Sequence, residues 1–121
     1  MADHNILGQK GEEVVVAYFI KKGYKILKRN WFYQKYEIDI IACNEDFIVF
    51  VEVKTRSSDQ WGNPEDAVSK KKIKHIVDAA DYFLKENDID LPARFEIVSV
   101  IWTGTNFEVE HLDDAFLPPI N

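Results

Sequence analysis

The chain has 121 residues, of which 46% are hydrophobic and 30% charged, as in ordinary water-soluble globular proteins. This length predicts a single domain, residues 1–121, with its own core. No apolar run is long enough to span a membrane, and the N-terminus lacks the basic-then-apolar pattern of a signal peptide, so we expect a cytoplasmic protein with no membrane partner. The single Cys43 excludes an internal disulfide and any multi-cysteine metal site.

The formal net charge of −6 is unevenly distributed along the chain. Residues 1–75 carry 13 Lys and Arg against 11 Asp and Glu, a balance of +2, whereas residues 76–121 carry 2 against 10, a balance of −8. A local stripe of basic residues matters more for phosphate contact than the total charge. The negative net charge therefore does not exclude nucleic acid as a partner. Clusters of basic residues are, however, more often simply solvent-exposed surfaces of helices and strands.

The first half of the chain predicts one helix and three strands. The helix runs from about Asn5 to Lys22 and is closed by Gly23. An amphipathic strand follows, from Tyr24 to Trp31. Two further strands, at about 36–43 and 47–54, are joined by so short a linker that they are expected to form a hairpin.

The second half predicts a helix and two strands. The helix starts with Asn63 as N-cap and Pro64 at its first position and runs to about Glu86. Strands are predicted from Arg94 to Trp102 and from Phe107 to His111, and the tail, about 112–121, is expected to be irregular. A three-stranded meander followed by a helical crossover predicts an α/β fold with a mixed five-stranded sheet flanked by two main helices, in the order αβββαβ and then a final strand.

Acidic residues are predicted to face each other in the hairpin. With the turn centred midway along its linker, residues whose numbers sum to 91 are opposed, which pairs Asp39 with Glu52 and Glu37 with Lys54. Two carboxylates about 5 Å apart repel each other unless a cation lies between them, and a divalent metal ion is a natural candidate. The alternative is a surface ladder in which an ion pair between Glu37 and Lys54 contributes little. The pattern alone leaves both interpretations open.

Short motifs extend over most of the chain: Gly8-x-x-Gly11-Glu12, Gly23-Tyr24, Arg29-Asn30-Trp31, Glu37-x-Asp39, Glu52-x-Lys54-x-Arg56, Ala67-Val68 with Lys72, and Arg94 to Val98. In combination they resemble the PD-(D/E)XK nuclease superfamily, and more narrowly the YraN-like family of endonuclease-like proteins. The resemblance implies a restriction-endonuclease-like fold, similar to archaeal Holliday-junction resolvases. The chain departs from the family pattern at Tyr36, where Gly is usual, and the tyrosine ring is expected to narrow the approach to the site.

The resemblance also implies a metal site. Asp39 and Glu52 would be the metal-binding carboxylates, with the backbone carbonyl of Val53 as a further ligand. Hard oxygen ligands in small number suit Mg²⁺ or Mn²⁺.

Three catalytic roles follow from the same resemblance. Lys54 would orient or deprotonate the attacking water, or stabilise charge on the phosphorane. Glu12 would reach the cleft from the first helix as a ligand or water-holder, and Glu37 would orient Lys54. A solvent-facing Glu12 and a simple salt bridge for Glu37 remain the alternatives.

Nucleic-acid contacts are expected around this site. Arg56 and Lys72 could hold flanking phosphates, which would position nucleic acid without specifying its sequence. Trp61 could stack on an unpaired base, although a tryptophan more commonly covers the edge of a core.

The sequence thus predicts a metal-dependent endonuclease that acts on DNA, in preference to RNA, and on branched or otherwise structured DNA. The alternative is a nucleic-acid-binding module that keeps the nuclease fold but cuts poorly or not at all; a structural interaction domain is a third option. A homodimer would suit an enzyme that cuts junctions, because paired cuts need paired sites.

Overall fold

The computed structural model of the protein describes residues 2–57 and 70–112. Its elements are α1 (Ala2–Lys21), β1 (Lys25–Tyr33), β2 (Tyr36–Cys43), β3 (Ile48–Ser57), α2 (Lys70–Glu86), β4 (Ala93–Trp102) and β5 (Phe107–Leu112). The predicted order of helices and strands is confirmed. The predicted helix start at Asn63, the stacking candidate Trp61 and nearly all of the predicted irregular tail lie outside the described residues.

The sheet is five-stranded and mixed, as predicted. Its strand order is β1-β2-β3-β4-β5, with β3 and β4 parallel and the other neighbours antiparallel. Parallel neighbours need a long crossover, and the chain between β3 and β4 contains α2. β3 is therefore the central strand, and both of its faces are apolar where it enters the sheet.

The two helices cover opposite faces of this sheet. On one face Ile48 and Phe50 pack with Phe83 of α2, and on the other Val49 and Val51 pack with Phe19 of α1. The side chains of β3 thus alternate between the two faces, as the period of two along a strand requires. Burial of these side chains supplies most of the stabilisation of both helices.

The end of α1 also follows the prediction. Gly23 has a φ of +95°, a conformation that costs glycine little, and the next amide, of Tyr24, donates to the carbonyl of Phe19 at 3.0 Å. Within residues 2–57 and 70–112, neither helix is long and apolar enough to cross a membrane.

A buried polar network, absent from our sequence-based predictions, joins β5 to α1 and β4. Glu96 of β4 is 2% exposed, and its Oε1 lies 2.6 Å from Nε2 of His111 in β5. The other ring nitrogen of His111 lies 2.7 Å from the hydroxyl of Tyr18 in α1, and Nε of Arg94 is 3.1 Å from Glu96 Oε2. A buried carboxylate is tolerated here because hydrogen-bonding and charged partners surround it.

Candidate metal centre

β2 and β3 separate where the predicted metal ligands lie. The predicted register is correct over the four residue pairs nearest the turn, and the ladder then ends. The ladder ends at the pair of Ile40 with Val51. The predicted pairs of Asp39 with Glu52 and of Glu37 with Lys54 are therefore not part of the ladder. Repulsion between like charges and the loss of hydration on burial both oppose a closed ladder at this point.

The Asp39 side chain takes over one of the hydrogen bonds that the ladder lacks. Its Oδ2 accepts the backbone amide of Val53 at 2.8 Å. The amide and carbonyl of a strand residue point toward the same neighbouring strand. The Val53 carbonyl, a predicted metal ligand, therefore faces the same gap between β2 and β3.

The alternation of faces along β2 is interrupted at the same place. Ile38 packs in the core cluster under α2 together with Ile41, whereas strict alternation would place it on the α1 face with Ile40. The regular alternation of side chains in β2 is therefore broken around Asp39. At this irregular position Asp39 lies near Glu52 of β3 and Glu12 of α1.

Burial and neighbouring carboxylates together raise the pKa of Asp39 from 3.8 to about 8. Burial is the main cause, and the negative charge of Glu52 is the second. The hydrogen bond from Val53 acts in the opposite direction, while Glu12 and Glu37 add smaller upward contributions. The other three predicted acidic residues thus lie close enough to influence Asp39, and a bound cation would favour the ionised form of Asp39.

Three of these carboxylates, but not Glu12, line a cavity of about 380 Å³ between the sheet and α2, called the carboxylate cavity below. Its charged lining residues are Glu37, Asp39, Glu52, Lys35, Lys71 and Lys72. Over the described part of the chain, no three His, Cys, Asp or Glu side chains are already grouped as a metal site. Asp39, Glu52 and the Val53 carbonyl supply the oxygen ligands that suit a hard divalent cation.

Lys72 was predicted to contact phosphate, and the structure places it on a carboxylate. Its Nζ lies 2.6 Å from Oε1 of Glu52, whose side chain is 16% exposed. An ammonium group therefore lies where a metal ion would compete for the same oxygen. Lys54, the lysine of the motif, is exposed and is not among the residues that line the cavity.

Glu12 is held by a residue to which we had assigned no role. Asn30 Nδ2 lies 3.0 Å and 3.2 Å from the two carboxylate oxygens of Glu12. Asn30 has a φ of +49°, which asparagine tolerates better than most residues, and in the β1–β2 register it falls opposite Asp39. In the sequence, only its place in the Arg29-Asn30-Trp31 motif indicated that Asn30 could belong to the site.

The position of Glu12 also depends on the glycine before it. Gly11 is buried, and a Cβ atom there would lie 2.0 Å from Oγ1 of Thr55 in β3. This close approach of α1 to β3 is possible only without a side chain at residue 11.

The remaining residues predicted to lie at the site are Arg56 and Tyr36, and they occupy different surroundings. Arg56 is half-buried in β3, paired with Ile101 of β4, because β3 continues to Ser57 and the predicted polar loop begins later. Tyr36 lines the carboxylate cavity and stacks on His75, with ring centroids 3.8 Å apart. We had assigned no role to His75, Lys35 or Lys71, because each becomes a neighbour of the site only through packing of α2 and the β1–β2 turn.

Comparison with known proteins identifies the family. Residues 11–100 match the signature of "Uncharacterised protein family UPF0102". The chain belongs to UPF0102. The matched region begins at the glycine packed against Thr55 and includes every described residue of the carboxylate cluster.

Relatives within UPF0102 align over nearly the whole chain. A UPF0102 protein of Parabacteroides distasonis is 50% identical over 119 residues, covering 98% of both chains. One from Phocaeicola vulgatus is 47% identical over 120 residues and 99% of both chains. One from Flavobacterium psychrophilum is 49% identical over 116 residues, or 96% of this chain and 98% of the relative. The family name states no activity, so function has to be argued from the site.

Proposed function

We propose that this UPF0102 protein is a metal-dependent endonuclease that hydrolyses phosphodiester bonds in branched or otherwise structured DNA. The observation that supports this most strongly is the buried Asp39, whose pKa is raised by burial and by three other carboxylates at the point where the β2–β3 ladder ends. A fold with no use for a cation would gain nothing from burying Asp39 beside Glu52, because burial and the charge of Glu52 both make ionisation of Asp39 more costly.

Asp39, Glu52 and the Val53 carbonyl would hold Mg²⁺ or Mn²⁺. The ion would act as Lewis acid and template for attack of water on the phosphodiester. Glu12, kept in place by Asn30, would accept a hydrogen bond from the water at the edge of the site.

The lysines have separate tasks in this proposal. Lys72 would leave Glu52 when a cation binds there, and its ammonium would then contact phosphate together with Lys35 and Lys71 of the same cavity. Lys54 would approach the reacting phosphate from outside the cavity once DNA is bound, with Glu37 as a partner that orients it.

The second candidate function is a nucleic-acid-binding module that does not cut. Two observations favour it: the exposed position of Lys54 outside the cavity, and the ion pair of Lys72 with Glu52, which neutralises a proposed metal ligand. The experiment therefore has to separate binding from cleavage.

We expect Mg²⁺ or Mn²⁺ to support cleavage of labelled junction, flap or single-stranded DNA. Glu52→Gln should lower the rate about 100-fold or more, because Lewis-acid stabilisation contributes several kcal/mol. Glu45→Gln, in the exposed turn of the hairpin, is the matched control and should cut as the wild type does. Binding of DNA without metal-dependent cleavage by the wild type would select the non-cutting module instead.

The two lysines should respond differently when replaced by methionine. Lys54→Met should lower the cleavage rate constant about 100-fold or more with little change in DNA affinity, since its proposed role is in the reaction. Lys72→Met should mainly weaken DNA binding, as expected for a lost phosphate contact. Gel-shift titration and single-turnover cleavage measure the two quantities separately. An unchanged cleavage rate in Lys54→Met would remove it from the catalytic set.

A further inference from the structure

A second, larger cavity adjoins the carboxylate cavity. Its volume is about 660 Å³, within the usual range for small-molecule sites. Tyr36 and His75 line both cavities and thus form the wall between them. A molecule long enough to extend past this wall would occupy both.

Aromatic rings dominate one side of the larger cavity. The β1–β2 turn, with Gln34 at a φ of +58°, places Tyr33 opposite Tyr36. The Tyr33 ring lies 4.6 Å from that of Tyr82 in α2, and Tyr36 stacks on His75 at an interplanar angle of 20°. Tyr82 is 42% exposed although the Trp31 ring also stacks beside it at 6.4 Å, so part of the residue faces the cavity.

The two cavities differ in net charge. The carboxylate cavity has three carboxylates and three lysines, whereas the larger cavity carries Asp78, Asp81 and Glu86 against a single lysine. This lysine is Lys85, and its ammonium lies 2.9 Å from Asp81 Oδ2. Phosphate is therefore disfavoured in the larger cavity, while a neutral flat ring with amino groups can both stack and donate hydrogen bonds to carboxylates.

We propose that the aromatic cavity binds an unpaired nucleobase of the DNA strand whose phosphate lies in the carboxylate cavity. This inference rests on the proposed function for the identity of the strand, and it narrows the substrate to DNA with at least one unstacked nucleotide beside the cleavage site. Stacking on an aromatic side chain tolerates any base, because every base has a π-face.

The test uses binding without metal, so that it does not depend on cleavage. A 12-nucleotide single strand carries a single base, 2-aminopurine, whose fluorescence reports stacking, on an otherwise abasic backbone, and the matched strand is abasic throughout, because a cavity that tolerates any base would accept any other base on the strand. We expect quenching on binding, and an affinity for the abasic strand about 5- to 100-fold lower, the range expected when one base–aromatic stack is lost.

Variants locate the base in the cavity. Tyr82→Ala should bind the 2-aminopurine strand about 5- to 100-fold more weakly and lose the quenching, while Tyr82→Phe should behave as the wild type. The matched control is Phe32→Ala, since Phe32 is 59% exposed on β1 and does not line the cavity. The abasic comparison is made on the wild-type protein and remains valid if Tyr82→Ala folds poorly.

The outcomes separate this inference from the proposed function. Equal affinity for the 2-aminopurine and abasic strands, or failure of the wild type to bind single-stranded DNA, would overturn the base-binding cavity even if metal-dependent cleavage were observed. Quenching with the expected losses would support the cavity even if cleavage were absent. A free mononucleotide that bound as tightly as the strand would also overturn the proposal, since the cavity would then serve a free nucleotide.

Discussion

Asp39→Asn should make the metal-free protein more resistant to alkaline pH while abolishing its response to metal. In the wild type the folded-state pKa of Asp39, about 8, lies above its ordinary value of 3.8. Between these values the folded protein holds a proton that the unfolded chain has lost. The free energy of unfolding of the wild type should therefore decrease as pH rises through this window, by up to about 1.4 kcal/mol per pH unit.

Asparagine removes this dependence without removing the local hydrogen bond. Its amide oxygen can still accept the backbone amide of Val53, which Asp39 Oδ2 accepts at 2.8 Å. The stability difference between Asp39→Asn and the wild type should thus grow in favour of the variant from pH 4 to pH 8, as measured by urea unfolding in EDTA. If the two curves run parallel, the Asp39 carboxyl ionises normally and the buried, repelling cluster is wrong.

Metal should act in the opposite direction. At pH 8, Mn²⁺ should raise the melting temperature of the wild type with concentration, since ligands that bind only the folded state stabilise it. Asp39→Asn should lose most of this rise and nearly all cleavage. Glu13→Gln, an exposed position next to Glu12, should keep both. An equal thermal response in Asp39→Asn would remove Asp39 from the metal site.

Gly11→Ala should be among the most destabilising single-methyl changes in the protein. The added Cβ would lie 2.0 Å from Thr55 Oγ1, 2.9 Å from its Cγ2 and 3.0 Å from its Cβ. Overpacking of this kind costs about 1–3 kcal/mol or more, because either the helix or the strand has to shift. A shift of α1 would also displace Glu12, so metal affinity should fall together with stability.

The chain offers a matched control in the same helix. Gly8→Ala places a Cβ where no atom lies within 4 Å, so only the higher helix propensity of alanine remains, and stability should rise by about 0.5–1 kcal/mol. The double variant Gly11→Ala with Thr55→Gly removes the clashing side chain and should recover part of the loss. The free energy of unfolding in urea, measured for the wild type, the two single variants and the double variant, distinguishes the effect of close packing from that of helix propensity. Destabilisation by Gly8→Ala of the same size would show that the contact with Thr55 is not the cause.

The elements and the register were predictable because they depend on local chemistry. The turn between β2 and β3 set the pairing of Ile48 with Cys43, and the alternating side chains of β3 set its two faces. Gly23 marked the end of α1. Strand length was less predictable, since β3 extends to Ser57 by pairing with β4, a strand 36 or more residues later in the chain.

The candidate site was only partly predictable for a related reason. Its carboxylates lie in short motifs and could be named from the sequence. The end of the β2–β3 ladder and the contact of Lys72 with Glu52 could not be predicted in the same way. Both depend on the balance between hydrogen bonding, burial and charge repulsion in the folded structure. Lys72 and Asn30 reach the cluster from separate elements, and no spacing along the chain indicates that proximity.

The buried contact between His111 and Glu96 bears on how the last strand finds its place. β5 is short and lies at the edge of the sheet, where the backbone could pair equally well if displaced by one residue. Such a slip would turn the imidazole to the opposite face and leave Oε1 of the buried Glu96 without its partner, while Arg94 stays beside Oε2; an unsatisfied buried charged group costs about 1–3 kcal/mol or more. The contact of His111 with Glu96 therefore specifies one register of β5 on β4. Its main effect is to destabilise sheets with the wrong register, and it adds less to the stability of the correct one.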